Sequence, residues 1–194
     1  GFTLGNWTVN AEATAFALWV DDWIQWLPGD NSYWSPVNVK TVFSRGVDAG
    51  IDLRFEHGKW SNRLNLMYGL AYTTNREVRP SLEASLDKQL VYTPVNTLNI
   101  GNTVTYRGFS LYLGLHVTGK RFTDAANINE LPAFATVEAE LRQLINLNKH
   151  QLTLYLRVEN LTNTQFEILV WRPMPGVAAF GGLQYQFNQS LNKN

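Results

Sequence analysis

Apolar and polar residues alternate with a period of two along most of the chain. At 151–158, Leu152, Leu154, Leu156 and Val158 oppose Gln151, Thr153, Tyr155 and Arg157. Successive strand side chains point to opposite faces, so this segment is a strand with one apolar side. The pattern recurs at 110–118 (Leu111, Leu113, Leu115 and Val117) and at 135–142 (Ala135, Val137, Ala139 and Leu141). Further rows are Val47 to Phe55, Leu64 to Tyr72, Leu98 to Tyr106 and Leu183 to Phe187. The spacing predicts strands near 7–27, 36–55, 60–74, 89–107, 109–122, 131–145, 151–167 and 178–187. Apolar residues do not recur at three-to-four spacing, so no helix is expected.

The connections alternate in length. Short ones fall at Leu4-Gly5-Asn6, 56–59, Arg107-Gly108 and 146–150; long ones fall near 28–36, 75–88, 123–130 and 168–177. One end of the sheet therefore carries tight turns and the other carries loops, the asymmetry of a transmembrane β-barrel. Several predicted strands exceed the ~5–6 residues of a mean soluble strand and suit the ~9–11 of a tilted membrane strand. Aromatics gather at both strand ends: Trp7, Trp60, Tyr106, Phe109 and Phe187 near the short turns, and Trp19, Trp23, Trp26, Trp34, Phe122 and Trp171 near the loops. Two girdles at the two interfaces are expected of a barrel in lipid. Alternation alone would also suit a soluble sandwich or lipocalin-like barrel with its apolar face inward.

With the apolar rows outward, Asp48, Asp52, Arg54, Glu138, Glu140, Arg142, Arg157 and Glu159 line the lumen. Arg45 breaks the outward row between Phe43 and Val47. A charge at mid-bilayer costs ~2–4 kcal/mol, so Arg45 belongs with the headgroups or a bulge shifts the register.

Composition narrows the function. The 194 residues include 16 basic and 16 acidic side chains, so the basic excess of a nucleic-acid binder is missing. There is no cysteine, and the three histidines (His57, His116 and His150) are scattered, so no metal site or cofactor is expected. No Gly-x-Ser-x-Gly elbow or phosphate-binding glycine loop occurs, and no catalytic residue is expected. His116, on the polar face, is read as a lumen residue bonded to its neighbours. No apolar run reaches the ~20 residues of a membrane helix, which does not bear on strands.

Several local patterns resemble the C-terminal region of TonB-dependent outer-membrane receptors. They are Ser44-Arg45-Gly46-Val47-Asp48, Leu90 to Pro94 followed by Leu98-Asn99-Ile100, and Leu131 to Val137. The most specific is Val158-Glu159-Asn160-Leu161-Thr162-Asn163 with Phe166, and Pro175-Gly176 and Gly182 to Phe187 close the series. Val177 stands where the family usually has Arg, and residues 188–194 follow the terminal aromatic Phe187. The resemblance implies an all-β, antiparallel transmembrane barrel, of which these are about eight C-terminal strands among ~22 around a plugged lumen. On that reading residues 1–187 are barrel strands and outer loops, 188–194 are a polar tail, and Gly1 to Leu4 end a preceding strand.

The resemblance further implies location in the bacterial outer membrane and import of a large, scarce nutrient such as cobalamin, a siderophore or haem. The implied partners are membrane lipid, the rest of the barrel and its plug, a TonB-type energy transducer, and a surface lipoprotein. The plug and the TonB box would lie upstream. Trp34-Ser35-Pro36-Val37-Asn38, with Ile24 to Pro28, is similar to cobalamin receptors of the Bacteroidota. Candidate ligand contacts on the loops are Asp30, Tyr33, Trp34, Arg76, Arg79, Trp171 and Arg172. Tyr33 and Trp34 could stack on a flat ligand or anchor their loop at the interface. Arg76 and Arg79 could meet an anionic ligand or lipopolysaccharide phosphate, or be solvated loop charges. Two other readings are a complete eight-stranded anchor or adhesion barrel and a soluble lipocalin-like carrier.

Overall fold

The computed structural model describes residues 1–28, 33–38, 41–78, 80–148 and 150–187. Its main feature is a nine-stranded antiparallel sheet. The strands are β1 (Phe2–Leu4), β2 (Trp7–Val20), β5 (Thr41–His57), β6 (Trp60–Glu77), β7 (Asn96–Tyr106), β8 (Phe109–Thr118), β11 (Phe134–Leu147), β12 (His150–Glu159) and β15 (Ala178–Phe187). They pair in that order, each with its neighbour in this series, and β1 and β15 are the two open edges. Three two-stranded hairpins cap the long-loop end: β3 (Ile24–Pro28) with β4 (Trp34–Asn38), β9 (Arg121–Phe122) with β10 (Glu130–Leu131), and β13 (Glu167–Leu169) with β14 (Arg172–Pro173). No α-helix occurs among the described residues; a 3₁₀ turn spans Pro80–Ser85.

The predicted 109–122 divides into β8, which ends at Thr118, and β9, and four further spans that are too long are each cut by a backbone feature. Asp22 (φ 54°), Tyr92 (φ 56°) and Asn160 (φ 48°) adopt the left-handed conformation, which ends the alternation of a strand. Thus 7–27 divides into β2 and β3, 89–107 begins only at Asn96, and 151–167 stops at Glu159. Pro132, which has no N–H for a ladder, separates β10 from β11. The expected 36–55 covers the end of β4 and most of β5. Strand β6 instead runs past its expected end to Glu77, because its ladder with β5 continues across a register shift to Thr41 opposite Glu77; Thr74 and Asn75 also bridge Gln89 and Leu86 of the returning loop.

The short turns follow turn chemistry. Arg107 and Gly108 both have positive φ, as the two central residues of a type I′ hairpin must. Gly58 begins the two-residue link between His57 and Trp60, with φ 59°.

Register keeps the apolar rows aligned across strands. Ala11, Ile51, Leu66, Ile100, Leu115 and Val137 are successive cross-strand partners on one face. Nothing in the described chain covers that face: Leu156 is 50% and Leu183 70% exposed. The small buried core lies instead at the long-loop end. There Val42 is 1% exposed, Leu90 is buried with it, and Val37 of the outer hairpin packs on both. The wall is a single layer that a loop collar holds at one end.

Candidate functional site

The polar face carries a connected set of charges. Glu138 on β11 is its centre. Its Oε1 accepts hydrogen bonds from Tyr112 Oη (3.2 Å) and His116 Nε2 (3.0 Å), both on β8. Its Oε2 accepts one from Arg157 Nη2 on β12, at 2.6 Å. His116 Nδ1 also lies 2.8 Å from Asn99 Oδ1 on β7. One carboxylate therefore ties three adjacent strands, with a fourth joined through the imidazole. Arg157 reaches Glu159 at 3.1 Å as well, and Arg142 holds Glu140 at 2.6 Å.

A second set lies nearer the short turns. Arg54 and Arg63 face each other across the β5–β6 register. Asp52 offers one oxygen to each, both at 2.7 Å, which converts a like-charge opposition into a bridge. Asp48 has no ion pair among the described residues. It shares a groove of about 260 Å³ with Glu12, Thr14, Thr97 and Asn99.

Glycine makes this face possible in one place. Gly101 and Gly114 are cross-strand partners under the Tyr112 ring. A Cβ on Gly114 would come within 2.7 Å of Tyr112 Oη and 2.8 Å of Glu138 Cγ. Bare backbone there leaves room for the tyrosine and the carboxylate to meet.

The loop collar is built from backbone-capping side chains. The Gln89 backbone N–H donates to Asn127 Oδ1, and Asn127 Nδ2 donates back to the Gln89 carbonyl, each at 2.9 Å. The Gln89 side chain accepts the Thr73 N–H at 3.0 Å, so it also pins the loop to β6. Tyr92 donates its N–H to the Phe122 carbonyl at 2.7 Å. Arg121 is buried and donates to the carbonyls of Pro132 (3.4 Å) and Glu167 (3.1 Å). Its guanidinium lies over Phe134, which stacks on Phe166 at 4.2 Å, and burial lowers its pKa. Asn160 Oδ1 accepts the Thr164 N–H (2.9 Å), while its Nδ2 donates to the Thr164 and Pro175 carbonyls. Asn160 and Asn163 both have positive φ, which gives the Asn-Leu-x-Asn segment its physical reason. Each outer loop thereby touches the next: Gln25 of the first hairpin reaches the Val91 carbonyl at 3.5 Å.

Asp124 organises the 123–131 turn. Its carboxylate accepts the N–H groups of Ala126, Ile128 and Asn129 at 3.0, 3.1 and 2.6 Å. Burial acts to raise its pKa, but these backbone donors hold it below the ordinary carboxylate value.

The expected ligand residues do not form one constellation. Asp30 and Arg79 lie outside the described residues. Trp34 leans on Tyr92 at 5.6 Å, and Tyr33 beside it is exposed. Arg76 is not in a loop: it is the next-to-last residue of β6 and pairs with Asp87 at 2.6 Å. Trp171, 89% exposed with φ 64°, lies in the turn of the β13–β14 hairpin, and Arg172 opens β14 opposite Leu169. Of the eight charged residues assigned to the polar face, seven are ion-paired and Asp48 is the exception. The residues expected to form a girdle stand at the short-turn end, with Trp7 on Phe55 (4.8 Å), Trp60 on Tyr106 (4.5 Å) and Phe187 on His150 (4.6 Å). Gln89 and Arg121 fall inside predicted strands and Asn127 in a predicted loop, and single polar residues carry no periodic signal of the loop contacts they make.

The family model described as "TonB dependent receptor-like, beta-barrel" matches residues 1–161. No curated protein matches the chain by sequence. Among solved structures, the siderophore receptor PiuA from Acinetobacter baumannii superposes with a TM-score of 0.66 at 17% identity, covering 92% of this chain and 26% of that one. The ferric preacinetobactin receptor BauA, also from Acinetobacter baumannii, gives 0.64 at 14% identity, over 94% and 28%. The ferric citrate transporter FecA gives 0.65 at 13%, over 92% and 29%. At these identities the likeness is one of fold, and the chain spans under a third of each of these structures.

Proposed function

This chain belongs to the TonB-dependent receptor-like β-barrel family, and we propose that it forms part of the wall and outer mouth of an outer-membrane importer. The observation that carries this is the register of the sheet. Nine strands align an uncovered apolar row on one face against ion-paired carboxylates and guanidiniums on the other. Hydrocarbon suits the first face, and a wet lumen occupied by a plug suits the second. The open edges β1 and β15 argue for pairing with further strands of a larger barrel, since lipid does not tolerate unpaired edges. The same open topology disfavours a self-closed eight-stranded anchor.

In this reading the polar-face residues Asp48, Asp52, Arg54, Glu138, Glu140, Arg142, Arg157 and Glu159 line the lumen. The loop collar presents Tyr33, Trp34, Trp171 and Arg172 to the outside. The imported nutrient is large and scarce, of the siderophore, haem or cobalamin class, and uptake draws on a TonB-type transducer acting on a plug. The family is one of receptors rather than enzymes, and the site residues hold no nucleophile motif. The test is uptake by cells with and without the gene for the whole polypeptide, given ferric siderophore, haem or cobalamin as sole source. Growth on one of these that needs both the gene and the transducer supports the proposal; identical growth of both strains on all three removes it.

A further inference from the structure

The turn between β7 and β8 sets a cation beside a groove in the outward face. The groove has a volume of about 230 Å³, and its lining includes Phe109 of β8, Leu141 and Gln143 of β11, and Leu154 and Leu156 of β12. These five residues share the outward face: Phe109 is the register partner of Gln143, Gln143 of Leu154, and Leu141 of Leu156. The four apolar ones are all exposed.

Two polar groups stand at the short-turn end of this groove. Gln143 interrupts the outward row of β11 between Leu141 and Ile145. One N–H of its amide donates to the Leu144 carbonyl at 3.0 Å, and the same nitrogen would stand 3.6 Å from a Cβ on Gly108. The amide therefore lies against the β7–β8 turn. Arg107, the other residue of that turn, is exposed and makes no ion pair among the described residues. Its guanidinium rests over the Tyr106 ring, 5.2 Å from the centre. Tyr106 is the register partner of Phe109, so the ring that carries the cation adjoins the groove. Arginine is also a costly choice here. The first central position of a type I′ turn has positive φ, which asparagine and glycine adopt and a longer side chain resists.

We propose that Arg107, Gln143 and this groove form a binding site for a phospholipid of the leaflet on the short-turn, periplasmic side. The guanidinium presents a fork of N–H donors to two phosphate oxygens, and the ring that holds it leaves its charge uncancelled. The second N–H of the Gln143 amide donates to an acyl ester carbonyl, the next polar group below the phosphate in such a lipid. One acyl chain follows the groove between Phe109, Leu141, Leu154 and Leu156, whose apolar surfaces it covers. A single molecule thus matches the charge, the amide and the apolar groove, which inorganic phosphate or a neutral lipid matches only in part. The site rests on the reading that the apolar face meets lipid.

The experiment uses the full native polypeptide purified in detergent and phosphatidylglycerol as the probe, with retained lipid counted by native mass spectrometry. The wild type is expected to retain it and Arg107→Asn to retain about tenfold less, the scale of one hydrogen bond to a charged group. Asparagine suits the turn better than arginine, so this variant keeps the fold. Leu154→Trp, which fills the groove with apolar bulk, should lower retention by a similar factor. Lys59→Asn, at the neighbouring β5–β6 turn and outside the groove, should leave retention unchanged. Diacylglycerol with the same acyl chains should not be retained. Equal retention by wild type and Arg107→Asn overturns the site, and so does an equal loss in Lys59→Asn, since any rim charge would then suffice. Retention of diacylglycerol at the level of phosphatidylglycerol overturns the phosphate as the recognised group. Unchanged retention in Leu154→Trp overturns the acyl groove. Insertion of the wild type into vesicles, read by protease protection, tests the membrane reading separately. Failure to insert removes that reading, whereas insertion without Arg107-dependent retention removes only the phospholipid site.

Discussion

Arg157 bypasses Glu140, its partner in the β11–β12 register, and bonds Glu138 two residues along at 2.6 Å. Long side chains can reach such diagonal neighbours, and Arg142 already occupies Glu140. The diagonal makes Glu138 a shared acceptor for β8 and β12, so its loss leaves two strands without their polar tie.

Glu138→Gln should therefore destabilise the folded barrel by about 1–3 kcal/mol, the scale of the charge-assisted hydrogen bonds it weakens. A double-mutant cycle with Arg157→Gln in urea unfolding should show a coupling of at least about 0.5 kcal/mol. Additive effects would mean the pair contributes no more than an exposed surface bridge.

Asn160 combines a left-handed backbone with three side-chain hydrogen bonds. Asn160→Gly keeps the conformation and loses the bonds; Asn160→Ala loses both. The alanine variant should be the less stable by about 1 kcal/mol, read from unfolding midpoints. If the two variants melt together, backbone conformation at this turn carries no cost.

The apolar face should reject charge where the polar face accepts it. Leu113→Arg, midway along β8 on the outward row, should weaken folding into vesicles by about 2–4 kcal/mol. Thr103→Arg, on the opposite face next to Tyr112, should insert nearly as well as the wild type. Equal penalties at both positions would contradict the assignment of the faces.

Acid should loosen the 123–131 turn. Asp124 has a folded pKa below its unfolded one, so its contribution is full above the unfolded value, about 3.9, and fades as pH falls through the lower folded value. Hydrogen exchange at Ala126, Ile128 and Asn129, corrected for intrinsic rates, should accelerate in that acid window. Asp124→Asn should remove the acid dependence; a variant that keeps it would assign the effect elsewhere.

How much of this was legible beforehand depended on whether a residue belongs to a repeating row. Leu111 to Val117 and Leu152 to Val158 announce both their strand and their face, because membership in a row of four is hard to reach by chance. The charges opposite them, Glu138 and Arg157 among them, are placed on a face by the same count. Arg76 reads as a loop residue in sequence because β6 is carried past Thr74 by pairing with Val42 and Thr41 of β5, more than thirty positions away. The first arm of the outer hairpin, Ile24 to Leu27, reads as the end of a long strand because a single left-handed residue, Asp22, leaves no mark on hydropathy.

Sequence alone determined the all-β class, the two faces and the alternation of turns and loops, since these follow from local periodicity and from residues suited to tight turns. Tertiary structure alone decided which charge meets which: Arg157 to Glu138, Asp52 between two arginines, Gln89 to Asn127. Register between strands and the crossing of distant loops set those distances, and no local pattern encodes them. It also settled Arg45, whose outward direction follows from an unshifted ladder that only the paired strands display.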